Sequence, residues 1–192
     1  QYFESLEKAQ NPKTLVVACC DSRVDPAILL HCKPGDLFVI RNVAALVPAV
    51  TQASNPCSVM SAIEYGVKHL NVEHIVVMGH SHCGGIHGLM TPESIAGETY
   101  IQDWVSIASP ALERLQAMTG DEDEKTRSRH CEEGAVLISL DNLLSYPWIA
   151  ERVKNGQLKL HALYYDLSEG NLYRFSPDSE DFELLFHTIE NP

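Results

Sequence analysis

"TLVVACCDSRVDP", residues 14–26, runs from an unbroken apolar, β-branched segment straight into two thiols, an acid and a base. Continuous apolarity over residues 14–19 suits a strand covered on both faces, because a strand with one wet face would alternate. Working outward, "HIVVMG" (74–79) has the same character, and "DLFVIR" (36–41), introduced by the turn signal "KPGD", is a further strand candidate. Met60, Ile63, Val67 and Leu70 recur at helical spacing, so residues 58–70 form an amphipathic helix. "YIQDWVSIASPALERLQAM" (100–118) reads as helix with a break near Pro110, and "CEEGAVLISLDNLLSY" (131–146) as another helix. A polar helix opens the chain, and "KLHALYYDL" and "NLYRFS", split by "SEGN", make a C-terminal hairpin.

Buried strands alternating with amphipathic helices predict an α/β fold: a mainly parallel central sheet flanked by helices, ending in an antiparallel hairpin. In such sheets sites form outside the carboxyl ends of the strands, where the connections diverge. Cys19 ends one strand and "GHSHCGG" (79–85) follows another, so the two motifs meet on that rim.

The bulk numbers narrow the function. At 192 residues, with 45% hydrophobic content and no Gly/Ser or Pro linker, residues 1–192 read as a single domain. Fourteen basic against twenty-six acidic residues leave a net charge of −12, which repels phosphate backbones and anionic lipid; nucleic acid and membrane are excluded as partners. No stretch has the length of a membrane span or the plan of a signal peptide. The chain starts at Gln1 without Met, which leads us to expect an upstream segment. Six cysteines in a chain with this much core read as reduced thiols in a cytoplasmic compartment, some of them holding a metal. The acidic run "GDEDEK" (120–125) reads as a solvated loop between helices.

His80 and Cys83 alone fit a core histidine and a buried thiol as well as a metal site. A second thiol at a neighbouring strand end changes that balance. Zinc favours thiolate and imidazole, and three protein ligands leave a fourth position for water, the mark of a catalytic centre. Two thiolates cancel the ion's formal charge, so its water needs help to ionise. Asp21 and Arg23 are suited to that: an Arg held bidentate to a carboxylate fixes the acid and keeps it ionised. The other reading of the pair is a structural ion pair at the turn, with Ser22 as a helix cap.

"CCDSRV" followed by "GHSHCGG" resembles the paired signature of the β-class carbonic anhydrases, Cys-x-Asp-Ser-Arg and His-x-x-Cys, in the branch called plant-type. The likeness runs from about Gln10 to the C-terminal hairpin. It implies that Cys19, His80 and Cys83 bind Zn2+, that Asp21 and Arg23 form a dyad orienting zinc-bound hydroxide, and that the reaction is reversible hydration of carbon dioxide to bicarbonate and a proton. "QNPK" resembles the family's Gln-x-Pro-Lys and gives Gln10 a hydrogen bond to substrate; "FVIRNVA" and "AIEYGV" place Phe38, Val43 and Tyr65 in the carbon dioxide pocket. By their own letters these three are core residues. In the family Gln, Phe and Tyr come from the neighbouring subunit, so the resemblance implies a homo-oligomer with a dimer as its minimum unit, extending to a tetramer or larger.

Departures from the pattern are few. Cys20 stands where Ser is common, as a space-filler or a redox-sensitive thiol, and "AALVPAV" replaces the usual Ala-Asn-Leu-Val-Pro-Pro. His82 and His87 could relay protons or face solvent. Val16 replaces a Trp that some relatives use for a non-catalytic bicarbonate site, which argues against that regulation. Relatives of this fold also act on carbonyl sulfide or carbon disulfide, and a structural zinc in a redox-sensing module, with Cys19 and Cys20 as the switch, is the non-enzymatic alternative.

Overall fold

In the computed structural model, which describes residues 2–53, 56–118, 120 and 122–187, the apolar run after Lys13 is strand β1 (Thr14–Cys19). It pairs in parallel with β2 (Leu37–Asn42) on one side and β3 (His74–His80) on the other, and β3 pairs in parallel with β4 (Lys159–Asp166). β5 (Asn171–Ser176) and β6 (Asp181–His187) then add antiparallel, giving the order β2-β1-β3-β4-β5-β6. This is the expected mainly parallel α/β sheet with an antiparallel end. The end has one strand more than the hairpin read from the sequence.

Both faces of the sheet are dry at β1 and β3, which is why those strands do not alternate. Leu15, Val17, Ile75 and Val77 face a core shared with α3 (Ser58–Lys68) and α8 (Pro147–Lys154). Val16, Ala18, Val76 and Met78 face the other core, with α4 (Gly84–Met90), α5 (Thr99–Val105) and α6 (Ser109–Ala117). α7 (Glu124–Leu144) contributes to both, through Cys131, Ala135 and Ile138 on one side and Val136 and Leu143 on the other. Short helices α1 (Tyr2–Lys8) and α2 (Pro26–Leu29) complete the chain.

Several boundaries move for local reasons. The 58–70 helix stops at Lys68, with His69 as its C-cap. The break near Pro110 is a 3-10 turn at Ser106–Ala108, and Pro110 sits in the first turn of α6, where its missing N–H costs nothing. α7 begins seven residues before the expected 131, because Asp123 caps it by accepting the Thr126 N–H at 2.8 Å. Glu124 and Lys125 therefore belong to a helix and not to the acidic loop; Asp121 lies outside the described residues.

The site follows from strand order. From β1 the chain leaves toward β2, and from β3 it leaves toward β4, so the connections diverge between the carboxyl ends of β1 and β3. A crevice opens at such a point. Cys19 and His80 are the last residues of those two strands.

Candidate metal centre

Cys19 and His80 reach the crevice as strand ends, and Cys83 reaches it as the N-cap residue of α4. Close packing fixes both histidine and helix. A Cβ on Gly79 would lie 2.4 Å from Val136 Cγ2, so only glycine lets α7 press on β3 one residue before His80. A Cβ on Gly85 would lie 2.7 Å from Val43 Cγ1. The three donor atoms consequently lie within 4.8 Å of one another, and all three residues are buried.

The donor chemistry fits zinc. His80 Nδ1 is 2.8 Å from the Ser81 carbonyl, which sets that nitrogen as the N–H and turns the Nε2 lone pair to the sulfurs. Nε2 itself is buried with no hydrogen-bond partner among the described residues, a cost that a metal bond removes. The two thiols shift in opposite directions because they lie side by side. A hydrogen bond from Cys83 outweighs burial and pulls Cys19 down to about 4, and the same bond, added to burial, pushes Cys83 far up. Burial pushes His80 down, but the Cys19 sulfur and its charge outweigh it and the net shift is upward. Cys19 Sγ also accepts the backbone N–H groups of Asp21 and Ala44, each at 3.4 Å.

Asp21 and Arg23 sit beside these donors. Arg23 Nε donates to Asp21 Oδ1 at 2.9 Å and Nη2 to Oδ2 at 2.7 Å, a bidentate pair. The guanidinium holds the Asp21 carboxyl well below the usual carboxylate range. Oδ2 is 4.0 Å from His80 Nε2. Arg23 Nη2 also donates to the His82 carbonyl at 3.2 Å, tying the loop after β1 to the loop after β3.

The remaining expected residues divide. Val43 belongs to a turn whose next residue, Ala44, touches Cys19. Phe38 and Tyr65 stack on each other, 6.1 Å between centroids, but Phe38 pairs with Leu15, four residues back along the sheet from Cys19. At 3.3 Å per residue that is about 13 Å from the metal ligands of the same chain. Gln10 is exposed in the connection before β1. A cleft of about 680 Å³ opens beside Cys83, lined by His82, His87, Arg129 and Glu132 among others, and none of Asp21, Phe38 or Tyr65 borders it.

Arg41, Asn42 and Glu132 escaped the sequence reading. Arg41 donates to the carbonyls of Cys19 (2.9 Å), Asp21 (2.6 Å) and Val24 (3.3 Å) and so shapes the ligand loop. Glu132 is buried, accepting the Cys83 N–H at 3.1 Å and the Tyr164 hydroxyl at 2.7 Å. Burial pushes its carboxyl up. Its signal was present: Glu132 lies four residues before Val136, so helical spacing puts an acid on an apolar face.

A buried Cys-His-Cys cluster at a sheet switch point, next to an Arg-locked Asp, defines a zinc centre of the β-carbonic-anhydrase kind. Residues 14–172 match the family model for carbonic anhydrase. Beta carbonic anhydrase 5, chloroplastic, of Arabidopsis thaliana is 40% identical over 179 residues, 93% of this chain and 59% of that protein. Beta carbonic anhydrase 3 of the same plant is 42% identical over 171 residues, 88% of this chain and 66% of that protein. Among solved structures, the β-carbonic anhydrase CcaA superposes with a TM-score of 0.90 at 31% identity, covering 96% of this chain and 82% of that one. One of two tetrameric β-carbonic anhydrases from Sordaria macrospora gives 0.73 at 30% identity, covering 96% and 85%. The chain belongs to the β-class carbonic anhydrase family, on its plant-type branch. It spans about six-tenths of the length of the curated relatives it matches.

Proposed function

We propose that the protein catalyses the reversible hydration of carbon dioxide to bicarbonate and a proton, with Cys19, His80 and Cys83 holding the zinc. The supporting observation is the buried donor cluster with its bare His80 Nε2, set beside an ionised Asp21. A zinc ion held there supplies a Lewis acid that makes water a nucleophile at neutral pH. Asp21, ionised and clamped by Arg23, can only accept a hydrogen bond; it turns a water's O–H toward itself and the lone pair outward to substrate. Val43 backs the apolar slot for carbon dioxide.

Phe38, Tyr65 and Gln10 serve a neighbouring subunit's site. The distance of Phe38 from Cys19 of the same chain supports this, as does the exposure of Gln10, of Tyr65 (46%) and of Val39 (39%) on the edge strand β2. A dimer therefore completes two sites at once, and the tetrameric Sordaria macrospora enzymes support a larger assembly built from it. We place the protein in a reducing, cytoplasm-like compartment, on the reading of its six cysteines as thiols in a chain with enough core to need no staples. Among the described residues, no helix is long and apolar enough to cross a membrane.

Stopped-flow hydration by zinc-replete and zinc-stripped protein tests the reading. Activity should track zinc content and return when zinc is restored. A zinc-replete sample no faster than buffer would end the proposal.

A further inference from the structure

The turn that follows β2 is strained. Ala44 (φ 63°, ψ 16°) and Ala45 (φ 54°) both occupy the left-handed region, where a Cβ crowds the backbone and glycine is the usual occupant. Two neighbouring alanines stay there only if the surroundings hold them. Asn42 does so from one end: its Nδ2 donates to the Leu46 carbonyl at 2.9 Å and its Oδ1 accepts the Leu46 N–H at 2.8 Å. Trp104 of α5 does so from the side, its Nε1 donating to the Val43 carbonyl at 2.8 Å. From below, α4 closes in on Val43 and Ala44 at Gly85, where an added Cβ would meet Ala44 Cβ at 3.0 Å.

What this clamp achieves is the aim of one N–H. Ala44 N lies 3.4 Å from Cys19 Sγ, so the turn gives that sulfur a second backbone donor besides Asp21. Hydrogen bonds to a ligating sulfur withdraw charge from it, the lever that tunes iron–sulfur potentials. The need is plain here, since two thiolates cancel the formal charge of a zinc ion and weaken it as a Lewis acid.

We propose that residues 42–46 form a thiolate-tuning turn, in which Asn42 and Trp104 are positioning residues that hold the Ala44 N–H on Cys19 Sγ. The inference rests on the zinc reading above and adds to it a reason for the strain.

Cobalt(II)-substituted protein reports on the sulfur directly, through its sulfur-to-metal charge-transfer band. Loss of an N–H···S bond makes the thiolate a better donor and moves the band to longer wavelength. N42A should show that shift and lower kcat about 10-fold with KM little changed. W104F, which keeps a ring in place and removes only the indole N–H, should shift the band in the same direction by less. The double variant N42A/A44G should recover part of the wild-type band, because glycine takes φ 63° unaided. Bands identical to wild type in folded W104F and N42A would overturn the proposal, and W104F alone decides if N42A fails to fold. A wild-type protein that binds no cobalt with a charge-transfer band would instead overturn the metal reading itself.

Discussion

Cys19 is pulled down and Cys83 pushed up by their closeness, so the Cys83 thiol still carries a proton that the metal has to remove. With Cys19 near 4 and Cys83 far above the ordinary thiol value, the pair keeps that proton across neutral pH in the metal-free protein. Zinc must displace it, so affinity rises with pH: chelator competition should show the dissociation constant falling about tenfold per pH unit near pH 8. His80, raised from its usual value, adds a second displaced proton below its own pKa, and the dependence steepens toward pH 6. A pH-independent affinity would contradict the retained proton. Asp21 makes a different prediction. D21N keeps the shape but loses the charge that only accepts, and R23A frees the carboxylate to rotate; each should lower kcat/KM by about 10–100-fold in stopped-flow hydration while zinc content stays at one per chain. The ligands and the Asp21–Arg23 pair were legible in the sequence because they cluster in two short motifs. Arg41 and Asn42 were not, since both act through backbone groups, and backbone partners leave no trace in residue spacing; Glu132 shows only as an acid at helical spacing from Val136, which does not say what it accepts.

Elements were legible where burial dictates composition and illegible where it does not. β1 and β3 announce themselves because both faces are dry, leaving no position for a polar residue. β6 is an edge strand with Leu184 and Leu185 about half exposed, so its "DFELLFH" carries neither clean alternation nor a continuous apolar run. α4 is short and glycine-rich, a composition that hides a helix; Gly85 and Gly88 serve close approach instead of helix propensity. That purpose can be measured. G85A places a methyl 2.7 Å from Val43 Cγ1, and G79A places one 2.4 Å from Val136 Cγ2. Each should cost about 1–3 kcal/mol in denaturant unfolding, and G79A should also weaken zinc binding, since it displaces the strand end that carries His80. Wild-type stability in both would show that α4 and α7 have room to move.

At the scale of the molecule, the proposed function has one chain supply the zinc ligands of its own site and a pocket wall to its neighbour's. Phe38 and Tyr65 stack beside an edge strand that presents Val39 to solvent, which is how an interface looks before its partner arrives. Sedimentation velocity should find a dimer or a larger even-numbered assembly. V39D should shift the protein toward monomer and reduce hydration activity in step; a fully active monomer would show that one chain builds its whole site. The claim on which these expectations depend is the convergence of Cys19, His80 and Cys83 on one ion. Zinc K-edge X-ray absorption tests it most directly. One zinc per chain is expected, with two sulfurs at about 2.3 Å, one imidazole nitrogen at about 2.0–2.1 Å and one further light atom. A purified, folded protein without stoichiometric zinc, or a zinc shell lacking two sulfurs, would contradict it.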